Sequence, residues 1–172
     1  MKATHGALLL FPPMAVFGIW FLMQNELPIL VPTTAVVQIE GANEKVENVV
    51  DGDTFDTFNG RIRIWGIDAP ELKQKCYSAS SFWLCGKFSS SNLTKMILGK
   101  ELVCNKLSTD RDGRGVAKCT LNGVDIARQM VDDGWAVDWP QYSKGYYANS
   151  EKLARDAQRG IFGIDAPNLD GE

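Results

Sequence analysis

The sequence predicts an α+β domain: a small closed barrel of five short antiparallel strands with about three helices, preceded by an N-terminal hydrophobic segment. Two observations carry this prediction. Short runs of β-branched and aromatic residues are separated by glycine-containing turns, which is typical of strands joined in hairpins. Apolar residues at helical spacing recur between these runs. With 172 residues, the chain suits one domain with an appendage.

The appendage comprises residues 1–35. Lys2 precedes residues 7–23, which carry no charge and are interrupted by Pro12 and Pro13. The arrangement is typical of an export signal or a signal anchor. No clear cleavage site is present, so the cleaved and the anchored form both stay open, while the two prolines argue against a buried core helix. We expect an exported protein, periplasmic or secreted, or one anchored to the inner membrane by residues 7–23.

The domain itself is expected over residues 36–163, with a polar C-terminal tail at 164–172. Periodicity and turn residues predict strands at 45–50, 54–58, 61–67, 101–107, 115–121 and 135–139. They predict helices at 86–98, 126–133 and 147–159, and an irregular loop at 72–84. The second helix should bury Ile126, Ala127, Met130 and Val131, and the third should turn Tyr147, Ala154 and Ala157 inward.

A β-hairpin is expected around Asn59-Gly60, because both residues tolerate the positive φ of a type I′ turn. Alternation along the second strand places Arg61, Arg63 and Trp65 on one face of the ribbon. The isoleucines between them would then face the core.

Acidic residues flank this hairpin, with Asp51 and Asp53 before it and Asp68 and Glu71 after it. The hairpin should bring these ends together in space. Carboxylates are hard ligands suited to Ca²⁺ or Mg²⁺, and an arginine such as Arg63 suits a phosphate. The pattern indicates metal-assisted phosphoryl chemistry, although turns and a solvated loop would also account for these residues.

The four cysteines indicate disulfides, because they are even in number and follow an export-like segment. Cys104 and Cys119 lie on successive predicted strands and suit a cross-strand bridge, which leaves Cys76 to pair with Cys85. The alternative, a zinc site, lacks the usual Cys-x-x-Cys spacing, and the single histidine of the chain, His5, lies in the export segment.

The charge distribution allows a local basic face on an acidic protein. The net charge of −3 is not that of an obvious nucleic-acid binder. Residues 86–118, however, carry seven basic and three acidic side chains, a net +4, so the rest of the chain sums to −7. Binding to phosphates should therefore be modest and strongly salt-dependent.

Three separated motifs resemble the thermonuclease (staphylococcal nuclease-like) family in their order and spacing. They are Asp-Gly-Asp-Thr at 51–54, Arg-Ile-Arg-Ile-Trp-Gly-Ile-Asp-Ala-Pro-Glu at 61–71 and Asp-Arg-Asp-Gly-Arg at 110–114. The resemblance covers roughly residues 46–162. It implies an OB-fold barrel, which commonly binds oligonucleotides, and Ca²⁺-dependent hydrolysis of single-stranded DNA or RNA that leaves 3′-phosphate ends.

The resemblance also implies a metal site. Asp53 and Asp68 would bind Ca²⁺, together with the backbone carbonyl of Ala69. Many relatives have threonine at that last position, and a carbonyl ligand survives the change to alanine.

The catalytic residues implied by the resemblance are Glu71, Arg63 and Arg114. Glu71 would orient or deprotonate the attacking water. The two arginines would bind the phosphate and offset the charge that grows in the transition state.

One position departs from the family pattern. Asp112 occupies the place where many relatives have tyrosine, which puts a carboxylate beside the phosphate site. Trp139 and Tyr142 fall near the other stacking aromatics of the family and could supply part of a substrate-binding platform. We expect weaker nucleotide binding than in the best enzymes of the family, with catalysis retained.

Two other functions stay open: a non-catalytic nucleic-acid-binding OB-fold module, and an accessory protein of envelope or exopolysaccharide biosynthesis. The expected partners are a single-stranded DNA or RNA substrate and, if the N-terminal segment is uncleaved, the membrane. We expect a monomer.

Overall fold

The structure is a computed structural model that describes residues 41–77 and 82–163. The expected export segment at 1–35 and the tail at 164–172 lie outside the described residues. The strands are β1 (Ala42–Val49), β2 (Thr54–Thr57), β3 (Gly60–Ile64), β4 (Ile67–Asp68), β5 (Cys76–Tyr77), β6 (Phe82–Trp83), β7 (Glu101–Thr109), β8 (Gly115–Leu121), β9 (Val124–Asp125) and β10 (Val137–Asp138). The helices are α1 (Cys85–Ile97), α2 (Ile126–Asp132), the one-turn α3 (Pro140–Ser143) and α4 (Ala148–Asp156), followed by a 3₁₀ turn at Gly160–Phe162.

Five strands close into the expected barrel. β1 pairs with β2 and β7, β2 pairs with β3, and β7 pairs with β8, all antiparallel. The closing pair, β3 with β8, is parallel, with Ile62 opposite Gly115 and Ile64 opposite Ala117. The expectation of a fully antiparallel barrel is therefore corrected to a mixed one. Hairpin connections set the direction only of strands that follow each other in sequence, whereas β3 and β8 meet only when the barrel closes.

The hairpin between β2 and β3 forms one residue earlier than expected. Thr57 pairs with Gly60, so Phe58 and Asn59 make the turn. Gly60 has a φ of 123°, but Asn59 is not among the residues with positive φ, so the turn is not type I′. The hydroxyl of Thr57 accepts a bond from the Asn59 amide and donates to the Gly60 carbonyl, which stabilises this alternative turn.

The barrel interior and the inner faces of α1 and α2 form one apolar core. As expected, Ile62 and Ile64 are buried. The four predicted core residues of α2 are all buried, and the Asp125 carboxylate caps that helix by accepting from two of its backbone amides. Ala157, expected to face inward, is exposed, because α4 ends at Asp156 and Ala157 is its C-cap.

Both expected disulfides are present. Cys104 and Cys119 face each other across β7 and β8, with Cα atoms 4.1 Å apart and an S–S bond of 2.05 Å. Cys76 and Cys85 are joined with Cα atoms 5.6 Å apart. The segment around Cys76 is more regular than expected, because β5 and β6 pair as a short antiparallel ladder.

Within residues 41–77 and 82–163, none of the helices combines the length and the apolar character that a membrane span requires.

Candidate active site

Asp53 lies at the centre of the site, immediately before β2, and only 3% of its side chain is exposed. Its Oδ1 accepts from the Thr54 hydroxyl at 2.8 Å and pairs with Arg63 Nη1 at 3.0 Å. Its Oδ2 accepts from the Ala69 amide at 3.1 Å. Its own amide donates to Asp51 Oδ1 at 3.0 Å. The loop is therefore held by hydrogen bonds to residues before and after the hairpin.

Gly52 allows this loop to approach α1 and the segment after β4. A Cβ atom at position 52 would lie 1.9 Å from the Ser89 hydroxyl oxygen and 2.7 Å from the Ala69 Cβ. Any side chain there would push the Asp53 loop away. The Asp-Gly-Asp motif thus has a packing reason as well as a chemical one.

Arg63 connects the two predicted metal ligands. Its guanidinium lies 3.0 Å from Asp53 Oδ1 and 3.0 Å from Asp68 Oδ1. The Arg63 side chain is 14% exposed, whereas Asp68 is 55% exposed. The hairpin therefore brings the acids at its two ends onto one cation, as expected from the sequence.

Burial raises the pKa of Asp53 from 3.8 to about 7, against the opposing effects of the Arg63 guanidinium and the hydrogen bonds from Thr54 and Ala69. The nearby Asp51 carboxylate raises it further. The positive charge of Arg63 therefore offsets only part of the cost of burying the ionised Asp53 carboxylate.

The donor set fits a hard cation in type but is small. Asp53 and Asp68 converge on one positive charge, and both supply carboxylate oxygens, which hard divalent cations prefer. Among the described residues, no group of three or more His, Cys, Asp and Glu side chains could hold a metal. Further ligands would have to be neutral oxygens, such as the Ala69 carbonyl, and water.

Glu71 is fixed through its backbone while its side chain is exposed. Its amide donates to the Gln74 side chain at 3.1 Å, and its carbonyl accepts from the Gln74 amide at 2.7 Å. A Cβ at Gly86, in the first turn of α1, would lie 1.7 Å from the Glu71 carbonyl oxygen, so only glycine fits at that position. The Glu71 side chain is therefore exposed to solvent on a fixed backbone, two residues after Ala69.

Arg114 is held by ion pairs with two acids of its own turn. Asp110 pairs with Arg114 Nε at 2.7 Å and accepts from the amides of Asp112 and Arg114. Asp112 pairs with Arg114 Nη2 at 3.2 Å. Burial lowers the pKa of Arg114, but Asp110, Asp112 and, more weakly, Asp53 together raise it above its ordinary value. Asp53 therefore acts electrostatically on Arg114, although the structure shows no direct contact between them.

One of the two expected aromatics, Trp139, lies beside Arg63, and the other, Tyr142, packs against Trp139. The Arg63 Cζ is 5.1 Å from the centre of the Trp139 ring, and Trp139 packs edge-on against Tyr142 with ring centres 4.5 Å apart. Tyr142 is 51% exposed. The amide of Trp139 donates to the Gly66 carbonyl, which holds this segment against the end of β3.

Several contacts in the site are not evident from residue types and spacing. The Thr54 hydroxyl on Asp53 could have been suggested by the Asp-Thr pair, since Thr54 follows directly. Asp110 is the main partner of Arg114. The sequence around it is that of an ordinary turn and does not indicate this ion pair. The packing of Gly52 and Gly86 against distant backbone had no local signal either.

The fold and site together define a small β-barrel protein with an acid–arginine cluster at the end of a hairpin. The sequence model of the family described as staphylococcal nuclease homologue matches residues 61–164, more than half of the chain. The chain belongs to this family. Asp53 precedes the matched segment, so its place in the site rests on its contacts with Arg63 and Ala69.

Relatives of two kinds are similar to this chain. Succinoglycan biosynthesis protein ExoI of Rhizobium meliloti (strain 1021) is 33% identical over 118 residues, which are 67% of this chain and 62% of that protein. Probable staphylococcal-like nuclease CAN2 of Oryza sativa subsp. japonica is 36% identical over 108 residues, which are 62% of this chain and 27% of that protein. Staphylococcal-like nuclease CAN1 of Arabidopsis thaliana is 32% identical, over 62% of this chain and 31% of that protein. The chain thus spans less than two thirds of each.

Proposed function

We propose that the protein is an exported, Ca²⁺-dependent nuclease that hydrolyses phosphodiester bonds of single-stranded DNA or RNA and leaves 3′-phosphate ends. The observation that carries the proposal is the position of Arg63. Its guanidinium touches both Asp53 and Asp68 and lies over Trp139, so a phosphate-binding group, two cation-binding groups and a base-stacking ring meet at one point.

The residues of the chain divide the work of hydrolysis. Arg63 and Arg114 donate hydrogen bonds to phosphoryl oxygens and offset the charge that develops there. Glu71, exposed and fixed through its backbone, accepts a proton from the attacking water or orients it for in-line attack. Asp53 and Asp68 would hold Ca²⁺, which when bound neutralises charge on the phosphate.

The preference for single strands follows from the aromatic groups. Trp139 and the half-exposed Tyr142 offer ring surface and edges beside the phosphate-binding arginine. A base can reach them only when it is unpaired, and each such stack contributes about 1–3 kcal/mol.

Export is supported by the two disulfides, which persist in oxidising compartments. The uncharged segment at 7–23 either directs the chain across the inner membrane or anchors it there. The protein acts as a monomer in this proposal.

The test is cleavage of heat-denatured DNA by the full chain, purified in mild detergent with its disulfides intact, with Ca²⁺ and with a chelator. We expect cleavage only with Ca²⁺, and a loss of at least about 100-fold in Glu71→Gln and Arg63→Gln. Arg61→Gln is the matched control, because Arg61 lies on the same strand but pairs with Asp56. Intact DNA in the presence of folded protein and Ca²⁺ would refute the proposal and leave a non-catalytic binding module as the better reading.

A second candidate is an accessory role in envelope or exopolysaccharide biosynthesis, favoured by the similarity to the Rhizobium meliloti succinoglycan biosynthesis protein. A strain lacking this chain, complemented with wild type or Glu71→Gln, separates the two. Equal recovery of polysaccharide with both would support the accessory role. Recovery with the wild type alone would link any polysaccharide effect to hydrolysis.

A further inference from the structure

A second group of cations and aromatics lies next to the candidate active site. Lys118 Nζ is 3.9 Å from the centre of the Trp65 ring and 4.6 Å from that of Tyr146. Arg128 Cζ is 5.3 Å from the Tyr146 ring and 5.4 Å from the Tyr147 ring. We call Trp65, Lys118, Arg128 and Tyr146 the Tyr146 cluster.

The fold assembles this cluster from four parts of the chain. The parallel pairing of β3 and β8 sets Ile64 opposite Ala117, and the Trp65 amide donates to the Ala117 carbonyl at 2.8 Å. The residues that come next in the two segments, Trp65 and Lys118, therefore lie side by side. Arg128, in the first turn of α2, donates to the Ser150 hydroxyl at 3.1 Å, which holds its guanidinium beside the tyrosines.

The two cations of the cluster are not neutralised by acids. Among the described residues, neither Lys118 nor Arg128 makes an ion pair, in contrast to Arg63 and Arg114. Asp125, the N-cap of α2, accepts from other donors. Its oxygens accept from the Tyr147 hydroxyl and from two backbone amides at the start of α2. The positive charge of the cluster thus remains available to an anion.

The ring of Tyr146 is available as well. It is 54% exposed, although it lies edge-on to both Trp65 and Tyr147. A half-exposed tyrosine beside two cations offers ring surface and anion-binding groups together, which is the combination that single-stranded nucleic acids require.

The cluster continues the row of residues that forms the active site. Trp65 follows Arg63 by two residues, directly after the end of β3, so their Cα atoms lie within about 7 Å of each other. The chain from Trp139 to Tyr146 runs alongside, with Trp139 over Arg63 and Tyr146 against Trp65. An extended strand with a phosphate at Arg63 would reach the cluster within one or two nucleotides.

We propose that the Tyr146 cluster is a second subsite for single-stranded polynucleotide, in which Lys118 and Arg128 bind backbone phosphates and Tyr146 stacks on a base. This inference rests on the proposed action on single strands and extends it from one scissile phosphate to a track several nucleotides long. The cluster takes no part in the chemical step.

The test measures binding of fluorescently labelled oligothymidylates of about two and about eight nucleotides to the full chain in mild detergent, because an OB-fold site covers about 4–16 nucleotides. A chelator prevents cleavage. The variants are the double substitution Lys118→Gln, Arg128→Gln and the single substitution Tyr146→Ala. The double substitution Lys95→Gln, Lys100→Gln is the control, because it removes the same charge from exposed positions outside the cluster. Circular dichroism confirms that each variant is folded.

We expect the cluster variants to bind the long oligonucleotide about tenfold more weakly and the short one as wild type does. Loss of two phosphate contacts should also flatten the salt dependence of log K for the long oligonucleotide by about 1.4, at about 0.7 per phosphate for single strands. The control should change neither length preference nor salt slope beyond a small general charge effect.

Wild-type affinity and salt slope in the Lys118/Arg128 double variant would overturn the inference. A second result would also overturn it: the double variant loses binding to poly-glutamate as much as to oligonucleotides, and Tyr146→Ala leaves oligonucleotide binding unchanged. The cluster would then be a general anion-binding patch or a site for an acidic partner. Cleavage assayed in parallel with Ca²⁺ keeps the two proposals apart. Length-dependent binding without cleavage would support the subsite and refute the nuclease, and cleavage without length-dependent binding would do the reverse.

Discussion

Replacing Arg63 by Gln tests the central arrangement of the site through stability alone. Arg63 is 14% exposed and its partner Asp53 is 3% exposed, at a distance of 3.0 Å. Removal of one partner from a buried pair leaves an uncompensated charge and destabilises a protein by about 3–5 kcal/mol. At roughly 4 °C per kcal/mol for a domain of this size, the midpoint of thermal unfolding should fall by roughly 10–20 °C.

The assay is thermal unfolding followed by circular dichroism in chelator at pH 8 and pH 5. At pH 8 the Asp53 carboxyl of the wild type is mostly ionised, since its pKa is about 7, and it pairs with Arg63. The Arg63 guanidinium lowers this pKa, so its removal raises the pKa of Asp53 in the variant above that of the wild type. Below about pH 7 both folded proteins carry a protonated Asp53 and gain stability equally as pH falls, so the loss caused by Arg63→Gln should be largest at pH 8 and smaller at pH 5.

Arg61→Gln is the matched control for this prediction. Arg61 lies two residues earlier on the same face of β3 and pairs with Asp56 at 2.7 Å, but its side chain is 50% exposed. Such a surface pair contributes at most about 1 kcal/mol. If Arg63→Gln lowers stability at pH 8 by no more than Arg61→Gln does, the argument from burial is wrong.

Three further predictions concern activity, metal binding and the barrel. Asp112→Asn should raise kcat/KM on single-stranded DNA about two- to fivefold, because the exposed pair it removes from Arg114 is worth up to about 1 kcal/mol; a decrease in initial rates would show instead that Asp112 positions Arg114. Affinity for Ca²⁺, measured by calorimetry, should increase as pH rises through about 7, because burial raises the pKa of Asp53 and only the carboxylate binds a cation; a flat profile above about pH 5, as expected for carboxylates of ordinary pKa, would contradict this. Replacing Cys104 and Cys119 by Ala should lower the free energy of unfolding in urea by about 3 kcal/mol, since the bridge closes a loop with a sequence separation of 15, while cleavage is retained; an unchanged urea midpoint would refute it.

Local elements of this fold were predictable because their signals are local. The buried face of α2 and its Asp125 cap follow from helical spacing and capping chemistry. The pairing of Cys104 with Cys119 follows from their positions on successive strands. The turn at Phe58 and Asn59 was placed one residue late, because the Thr57 hydroxyl competed with the usual Asn-Gly preference.

In the candidate site, the sequence by itself determined which groups are present and that the hairpin brings them together. Acids and arginines at the two ends of a short hairpin are held close together by the pairing of its strands, and their opposite charges attract each other. The roles of Glu71 and Arg114 in catalysis stay predictions, since the structure shows their positions and not their chemistry.

Only the tertiary structure decided how these charges are shared. The parallel closure of β3 on β8 sets Trp65 beside Lys118 and brings the start of β8, next to Arg114, against β3. Gly52 lets the Asp53 loop lie against Ser89 of α1, and Gly86 of α1 lies against the Glu71 backbone. These contacts join residues far apart in the chain. They depend on how the barrel closes and how tightly helices pack on it, and a one-dimensional pattern of residue types carries no information on either.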